Sequence, residues 1–441
     1  MPGTRNATRT SLLAASLLFL AGALPLLSST PAAQAQGLAT ARTPAEAGMS
    51  AERLKRLSAV LQARVDSGEI PGAVALVARK GRIVYHEAFG FRDRESQSPM
   101  RTDAIFRMAS MTKPVTSLAI MMLAEEGRLH IADPVSRHIP EFKDMKVGVE
   151  KPDGTGKTTL VLEPAAREMT LQDLLRHTSG LTYAIFGRSA VKSAWREADP
   201  TNRSQTNAQM AAKLAKLPLQ YHPGSTWEYG MSTDLLARVV EVVSGMDFDR
   251  FVEERIARPL RMADTGFWVS AERHGRIAQP QVNRATGKPD PMPDVTSRPN
   301  WISGGGGMVS TSADYARFCQ MLLNGGELDG VRLVSRKTLQ FMTANHLPPG
   351  VRPGPTTAPS PWTPWPDSGL GFGLGFAVRL ADGVAQMPGT AGDYSWAGLY
   401  GTYFWIDPKE DLFAVFMMQA TALRNPYRLI MRELVYQALE K

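Results

Sequence analysis

Strand-like segments stand at both ends of this chain with helical ones between them, and that arrangement limits the fold more than any other feature. Near the N-terminus, Gly72 to Ala78 and Arg82 to Phe89 read as two β segments around the turn Arg79-Lys80-Gly81, which makes a hairpin. Near the C-terminus the pattern returns in Gly373 to Leu380, then Gly401 to Ile406, the turn Asp407-Pro408-Lys409-Glu410-Asp411, and Leu412 to Gln419. Strands at both ends predict one antiparallel sheet assembled from the two termini and flanked by helices, an α/β architecture with a mainly helical domain inserted into it. The expected division is an α/β domain of residues 44–146 and 300–441 and an inserted domain of 147–299. Ser50 is expected to cap a helix carrying Leu54, Leu57, Leu61 and Val65 on one face, and Asn425-Pro426 to open the last helix as a cap followed by proline.

The inserted part reads as helices over Leu171 to His177, Thr206 to Leu217 and Asp234 to Ser244, the last with a stripe of Leu235, Val239, Val240 and Val243. Two proline-rich linkers follow, 289–299 and 348–366. The second is long enough to form a lid or rim of a site, against the simpler reading of a passive surface loop.

At 441 residues, 43% hydrophobic and 21% charged, the chain has ample core, which excludes disordered and fibrous classes. Arg5 and Arg9 before the apolar run Leu12 to Leu27, with Ala33-Gln34-Ala35 after it, fit an export signal over residues 1–35. The run is shorter than the roughly 20 apolar residues of a membrane span and is broken by Pro25, so a processed periplasmic or secreted protein is expected, with no membrane span after cleavage. A net charge of +8, two of its arginines in the leader, is mild and scattered, which argues against nucleic-acid binding. The single cysteine, Cys319, sits in an apolar helical pattern and reads as a buried small side chain. The histidines lack metal-ligand spacing, so no metal or cofactor is expected. Asp153 to Thr158 looks briefly like a phosphate loop, but Lys151 stands where its first glycine belongs and the flanks read as a hairpin.

The chemistry centres on Ser110-Met111-Thr112-Lys113. Residues three apart share a helix face, and the run Val115, Leu118, Ala119, Met122, Leu123 behind them predicts a buried helix with Ser110 at its N-terminus. A serine hydroxyl needs a base. No Gly-x-Ser-x-Gly elbow anchors a histidine triad, and His177, before Ser179-Gly180, reads as a packing or capping residue. Lys113 can serve instead, provided that burial or a nearby cation lowers its usual pKa of about 10.4. A second copy, Ser189-Ala190-Val191-Lys192, lies in a polar stretch without an apolar helix to bury it and is taken as noise.

Four motifs in order, Ser110-x-x-Lys113, Pro223-Gly224-Ser225-Thr226-Trp227-Glu228-Tyr229 before a helix, Gly304 to Gly307-Met308, and Trp396-Ala397-Gly398, resemble the serine β-lactamase-like superfamily. The resemblance runs from about Pro44 to Ala420 and is nearest to the class C-like, family VIII-type carboxylesterase branch. It implies a β-lactamase/transpeptidase-like fold and an acyl-enzyme on Ser110, with Tyr229 sharing proton handling with Lys113. It also implies an oxyanion hole from the backbone N–H groups of Ser110 and Leu399, with Gly398 letting the strand approach the substrate. Two departures bear on substrate. Met231 replaces the asparagine that holds an acyl side chain, and Trp396 replaces the lysine of Lys-Thr-Gly, so the substrate-binding set Trp396, Gly398 and Met231 favours neutral esters. A carboxylesterase on small or medium esters is the expectation. The alternatives are a β-lactamase or D-alanyl-D-alanine peptidase, or a non-catalytic binding homologue, which intact Ser110, Lys113 and Tyr229 disfavour.

Overall fold

Gly72–Arg79 is buried along its whole length, because a strand in the middle of a sheet has both faces covered. The computed structural model describes residues 37–440 apart from 156–157, 284–285, 356, 358–362 and 365. The expected leader, the tip of the hairpin after Asp153 and part of the second proline-rich linker therefore lie outside the described residues. The eight-stranded sheet runs in the order Leu370–Phe372, Ala377–Arg379, Tyr394–Ala397, Tyr403–Asp407, Leu412–Met417, Gly72–Arg79, Arg82–Asp93, Ser98–Pro99. Every neighbouring pair is antiparallel.

The two ends of the chain meet where Val74 faces Met417 and Leu76 faces Val415. Side chains alternate between faces along a strand. Val74, Leu76 and Ala78 join one core with Phe413, Val415 and Met417, while Ala73, Ala75 and Val77 join another with Leu412, Ala414 and Phe416. The second core is covered by helices Ala51–Asp66 and Arg424–Tyr436, which supply Leu54, Leu57, Leu61, Tyr427 and Met431. A slip of one residue would exchange the two apolar sets, so the register is firmly specified. On the first core's side, helix Ser312–Leu323, with Cys319 buried in it, packs against Leu412–Met417.

Ser50 caps the first helix as expected, its hydroxyl accepting the Arg53 N–H at 3.3 Å. The last helix departs from expectation at its start. It begins at Arg424 with Leu423 in the cap position, and Asn425 Oδ1 instead accepts from Arg428 Nη1 at 3.1 Å. Pro426 is still tolerated because first-turn N–H groups need no helical partner. The segment Gly373 to Leu380 is also not one strand. The chain turns between Leu370–Phe372 and Ala377–Arg379, with Gly375 at φ 96°, a conformation that glycine adopts without strain.

Between the two halves of the sheet come the hairpin Lys146–Pro152 with Thr158–Pro164 and helices Leu171–Leu175, Ala190–Ala198, Asn207–Leu214, Ser232–Ser244 and Phe248–Val252. Every residue from Thr112 to Leu123 of helix Thr112–Glu125 is buried. A helix apolar on all sides belongs inside, and this one packs against Ser232–Ser244. That contact joins the Ser110 segment to the helical region. Among the described residues no helix is long and apolar enough to cross a membrane.

Candidate active site

Ser110 sits in a 3-10 turn, Ala109–Met111, that feeds directly into Thr112–Glu125. The residue before it, Ala109, has φ 45°. A non-glycine residue held in that left-handed region costs on the order of 1–3 kcal/mol, and it persists only where its surroundings force it. Here they do. Thr112 Oγ1 donates to the Ala109 carbonyl at 2.7 Å and accepts the Met308 N–H at 3.1 Å. Met108 donates its N–H to the Met308 carbonyl at 2.8 Å and accepts from Thr402 Oγ1 at 3.0 Å. Clamped between these two stretches, the turn presents Ser110 to a cavity of about 390 Å³ whose wall also includes Tyr229, Trp396 and Leu399.

Lys113 is 1% exposed, one turn along from Ser110. Its Nζ lies 3.3 Å from Ser110 Oγ, 3.2 Å from the Tyr183 hydroxyl and 2.6 Å from the Gly305 carbonyl. Three acceptors match the three N–H bonds of an ammonium. Tyr183 in turn donates to Asp234 Oδ2 at 3.0 Å, and Asp234 Oδ1 accepts from Ser303 Oγ at 2.5 Å and the Gly305 N–H at 2.9 Å. Burial, followed by the Asp234 charge, holds the Tyr183 phenol well above its ordinary range, so it stays protonated. Gly305 is required by space: a Cβ there would stand 2.3 Å from Asp234 Oδ2 and 2.8 Å from the Tyr183 hydroxyl.

Sequence reasoning missed Tyr183 and Asp234. Asp234 stands in the first turn of Ser232–Ser244, where an acid is expected on dipole grounds alone, and Tyr183 lies in a loop with no periodicity. The glycines at 304–307 were the one available signal that something passes close there.

Tyr229 stands over the same amine, its ring centroid 4.7 Å from Lys113 Nζ. His177, Trp396 and Trp227 surround that ring at centroid distances of 4.9, 5.4 and 6.0 Å. Burial and the neighbouring Lys113 push His177 well below the usual imidazole range, so it stays neutral. Its packing role matches the expectation.

The N–H groups of Ser110 and Leu399 donate to no other group among the described residues, and both residues line the cavity. Two unbonded donors there can receive an oxyanion. Trp396 lines the cavity too, its Nε1 without a partner among the described residues. Of the other two expected substrate contacts, Met231 needs correction. Met231 is fully buried in the main core rather than facing the cavity, because it precedes a helix whose inner face packs there. At Gly398 the close approach is to the protein itself: a Cβ on it would stand 2.4 Å from the Met108 carbonyl and 2.1 Å from Thr402 Oγ1, the groups that clamp the Ser110 turn. The cavity wall also contains Arg424 and Arg428, cations contributed by the last helix that the sequence reading did not place there. Burial lowers the Arg428 guanidinium to about 10, which leaves it charged at neutral pH, and its Nη2 donates to the Gly398 carbonyl at 2.8 Å.

The second Ser-x-x-Lys copy differs from its expected environment. Its segment does form an amphipathic helix, Ala190–Ala198, which buries Val191, Lys192 and Trp195. Ser189 is that helix's cap, accepting the Lys192 N–H at 3.0 Å and donating to Gln220 Oε1 at 2.7 Å. Lys192 Nζ is engaged elsewhere, with Glu228 at 2.8 Å and with the Phe186 carbonyl.

A sheet built from both chain ends, with a serine and lysine one turn apart at a buried helix start, defines the serine β-lactamase/transpeptidase class of fold. The family model described as Beta-lactamase matches residues 57–437, and the chain belongs to that family. Protein Rv1367c of Mycobacterium tuberculosis is 33% identical over 361 residues, covering 80% of this chain and 87% of that protein. Esterase EstB of Burkholderia gladioli is 32% identical over 407 residues, covering 86% and 94%. Among solved structures, EstCE1, described as a hydrolase with promiscuous acyltransferase activity, aligns with a TM-score of 0.72 at 26% identity, covering 87% of this chain and 99% of that one.

Proposed function

We propose that this protein is an exported serine carboxylesterase that acylates Ser110 and deacylates with water, acting on small or medium neutral esters. The observation that carries this reading is the placement of Ser110 Oγ in the cavity, 3.3 Å from Lys113 Nζ. The amine's lone pair takes the serine proton as Oγ adds to the ester carbonyl. The ammonium so formed has its three acceptors already in place, Gly305, Tyr183 and Ser110, which stabilises it without reorganisation. The oxyanion is received by the N–H groups of Ser110 and Leu399. Tyr229, against the amine, passes the proton to the departing alkoxide, and water then repeats the sequence on the acyl-enzyme with the same groups. Similarity to an esterase and a hydrolase supports the reaction class, and the uncharged Trp396 supports neutral substrates. The basic and apolar leader supports export, which N-terminal sequencing of protein from the cell envelope would check.

Arg424 and Arg428 on the cavity wall favour a second reading, β-lactam or D-alanyl-D-alanine peptide hydrolysis, because both substrates bear a carboxylate. It ranks second because Arg428 directs a donor inward to Gly398. Kinetics with p-nitrophenyl butyrate, nitrocefin and a D-Ala-D-Ala peptide separate the two. The ester should be turned over with far the highest kcat/KM, and Trp396→Lys should narrow the gap to nitrocefin by about 10- to 100-fold, the effect of one new ion pair. Efficient nitrocefin turnover with weak ester turnover in the native enzyme would reverse the ranking.

A further inference from the structure

Glu228 immediately precedes Tyr229, and its carboxylate is buried in an ion pair with Lys192, at 2.8 Å with both side chains at most 1% exposed. The same carboxylate accepts from Thr182 Oγ1 at 2.6 Å and from Thr357 Oγ1 at 2.9 Å. Thr182 immediately precedes Tyr183. One buried anion, on the residue next to Tyr229, therefore also holds the residue next to Tyr183. Lys192 adds a bond to the carbonyl of Phe186, which lies on the cavity wall. Thr357 comes from the second proline-rich linker and also lines the cavity. That linker is laced to the same stretch by the backbone: the Trp227 N–H donates to the Arg352 carbonyl at 3.0 Å, and the Gly354 N–H donates to the Trp227 carbonyl at 3.1 Å.

The anchor for this arrangement lies away from the reacting groups. Helix Ala190–Ala198, which carries Lys192, is fixed by the Trp195 indole N–H donating to the Pro218 carbonyl at 2.8 Å. Stability alone does not call for a charged pair in such a place, since well-packed apolar side chains commonly serve as well or better. What a pair with directional bonds adds is position, because either charge left without its partner in the interior is strongly disfavoured. We propose that Lys192 and Glu228 are positioning residues: they hold Tyr229 and Tyr183 at their working distances from Lys113 and fasten Thr357 of the second proline-rich linker to the cavity rim. The second Ser-x-x-Lys segment would then serve the first one's chemistry through its lysine. This rests on the Ser110 mechanism proposed above.

The test compares Lys192→Met and the double variant Lys192→Met/Glu228→Gln with the native enzyme, reading kcat, KM, the pH profile of kcat and Tm with p-nitrophenyl butyrate. Lys192→Met should lower kcat by about 10- to 100-fold with KM within about threefold, the scale set by misplacing groups that must align in the transition state. The pH profile should shift, because the altered tyrosine contacts change the surroundings of Lys113. The double variant leaves no unpaired charge, so it should recover Tm while kcat stays low. If it recovers both, or if kcat merely follows Tm in both variants, the pair is only structural and the proposal falls. Should Lys192→Met fail to fold, the double variant decides alone. A native enzyme without ester turnover would instead overturn the Ser110 mechanism itself, a different outcome from active enzyme with indifferent variants.

Discussion

The chain carries the same four-residue pattern twice, and the backbone beneath each copy decides what it does. At Ser189 the serine is an ordinary helix cap: its backbone is extended, its hydroxyl accepts the Lys192 N–H, and its proton goes to Gln220. At Ser110 the cap geometry is replaced by a tight turn behind a left-handed Ala109, so the hydroxyl makes no cap bond and points to Lys113 and the cavity. The lysines differ in the same sense. Lys192 is paired with Glu228, whereas Lys113 Nζ meets a carbonyl, two hydroxyls and an aromatic face, with the Asp234 carboxylate one hydrogen bond further off behind Tyr183. A hydroxyl and an amine three residues apart are therefore not a catalytic pair until the turn withholds the hydroxyl from capping and the amine from a carboxylate.

Substitutions can break this contrast at graded cost. The largest effect is expected for Ser110→Ala, which should reduce ester turnover to background, on the order of a million-fold, as when the nucleophile of a serine protease is removed. Tm should barely move. Steady-state kinetics with p-nitrophenyl butyrate reads it. Next, Lys113→Ala and Tyr229→Phe should each lower kcat by at least about 100-fold, the usual scale of general acid–base catalysis. A near-normal kcat in Tyr229→Phe would pass the proton-handling role to Tyr183. Tyr183→Phe itself should cost about tenfold in kcat, because it removes one of three acceptors from the ammonium and leaves two in place. The smallest effect belongs to Ser189→Ala: native kcat, and a loss of about 1 kcal/mol of stability from the missing cap, read by denaturant unfolding.

The sheet was legible because its central strands are apolar on both faces and its first helix has a plain cap and stripe. The Ser110 helix was legible for a similar reason, its continuous apolar run. What stayed hidden depends on contacts distant in sequence. Lys192 looked solvated because its helix is polar on the outer face, and only the fold brings Glu228 to it. Asp234 and Tyr183 carry no local mark, and Arg424 and Arg428 reach the cavity because the last helix lies beside the Trp396–Leu399 segment, where Arg428 donates to the Gly398 carbonyl. Gly398 was singled out for a close approach, and its backbone does come close to the Met108 carbonyl.

The central claim is that the two serines differ in reactivity, and covalent labelling measures that difference in one sample. Native protein treated with a fluorophosphonate probe, digested and analysed by peptide mass spectrometry should carry the adduct on the peptide containing Ser110, with none on that containing Ser189. Labelling at Ser189, or full ester turnover that survives without any modification of Ser110, would contradict it.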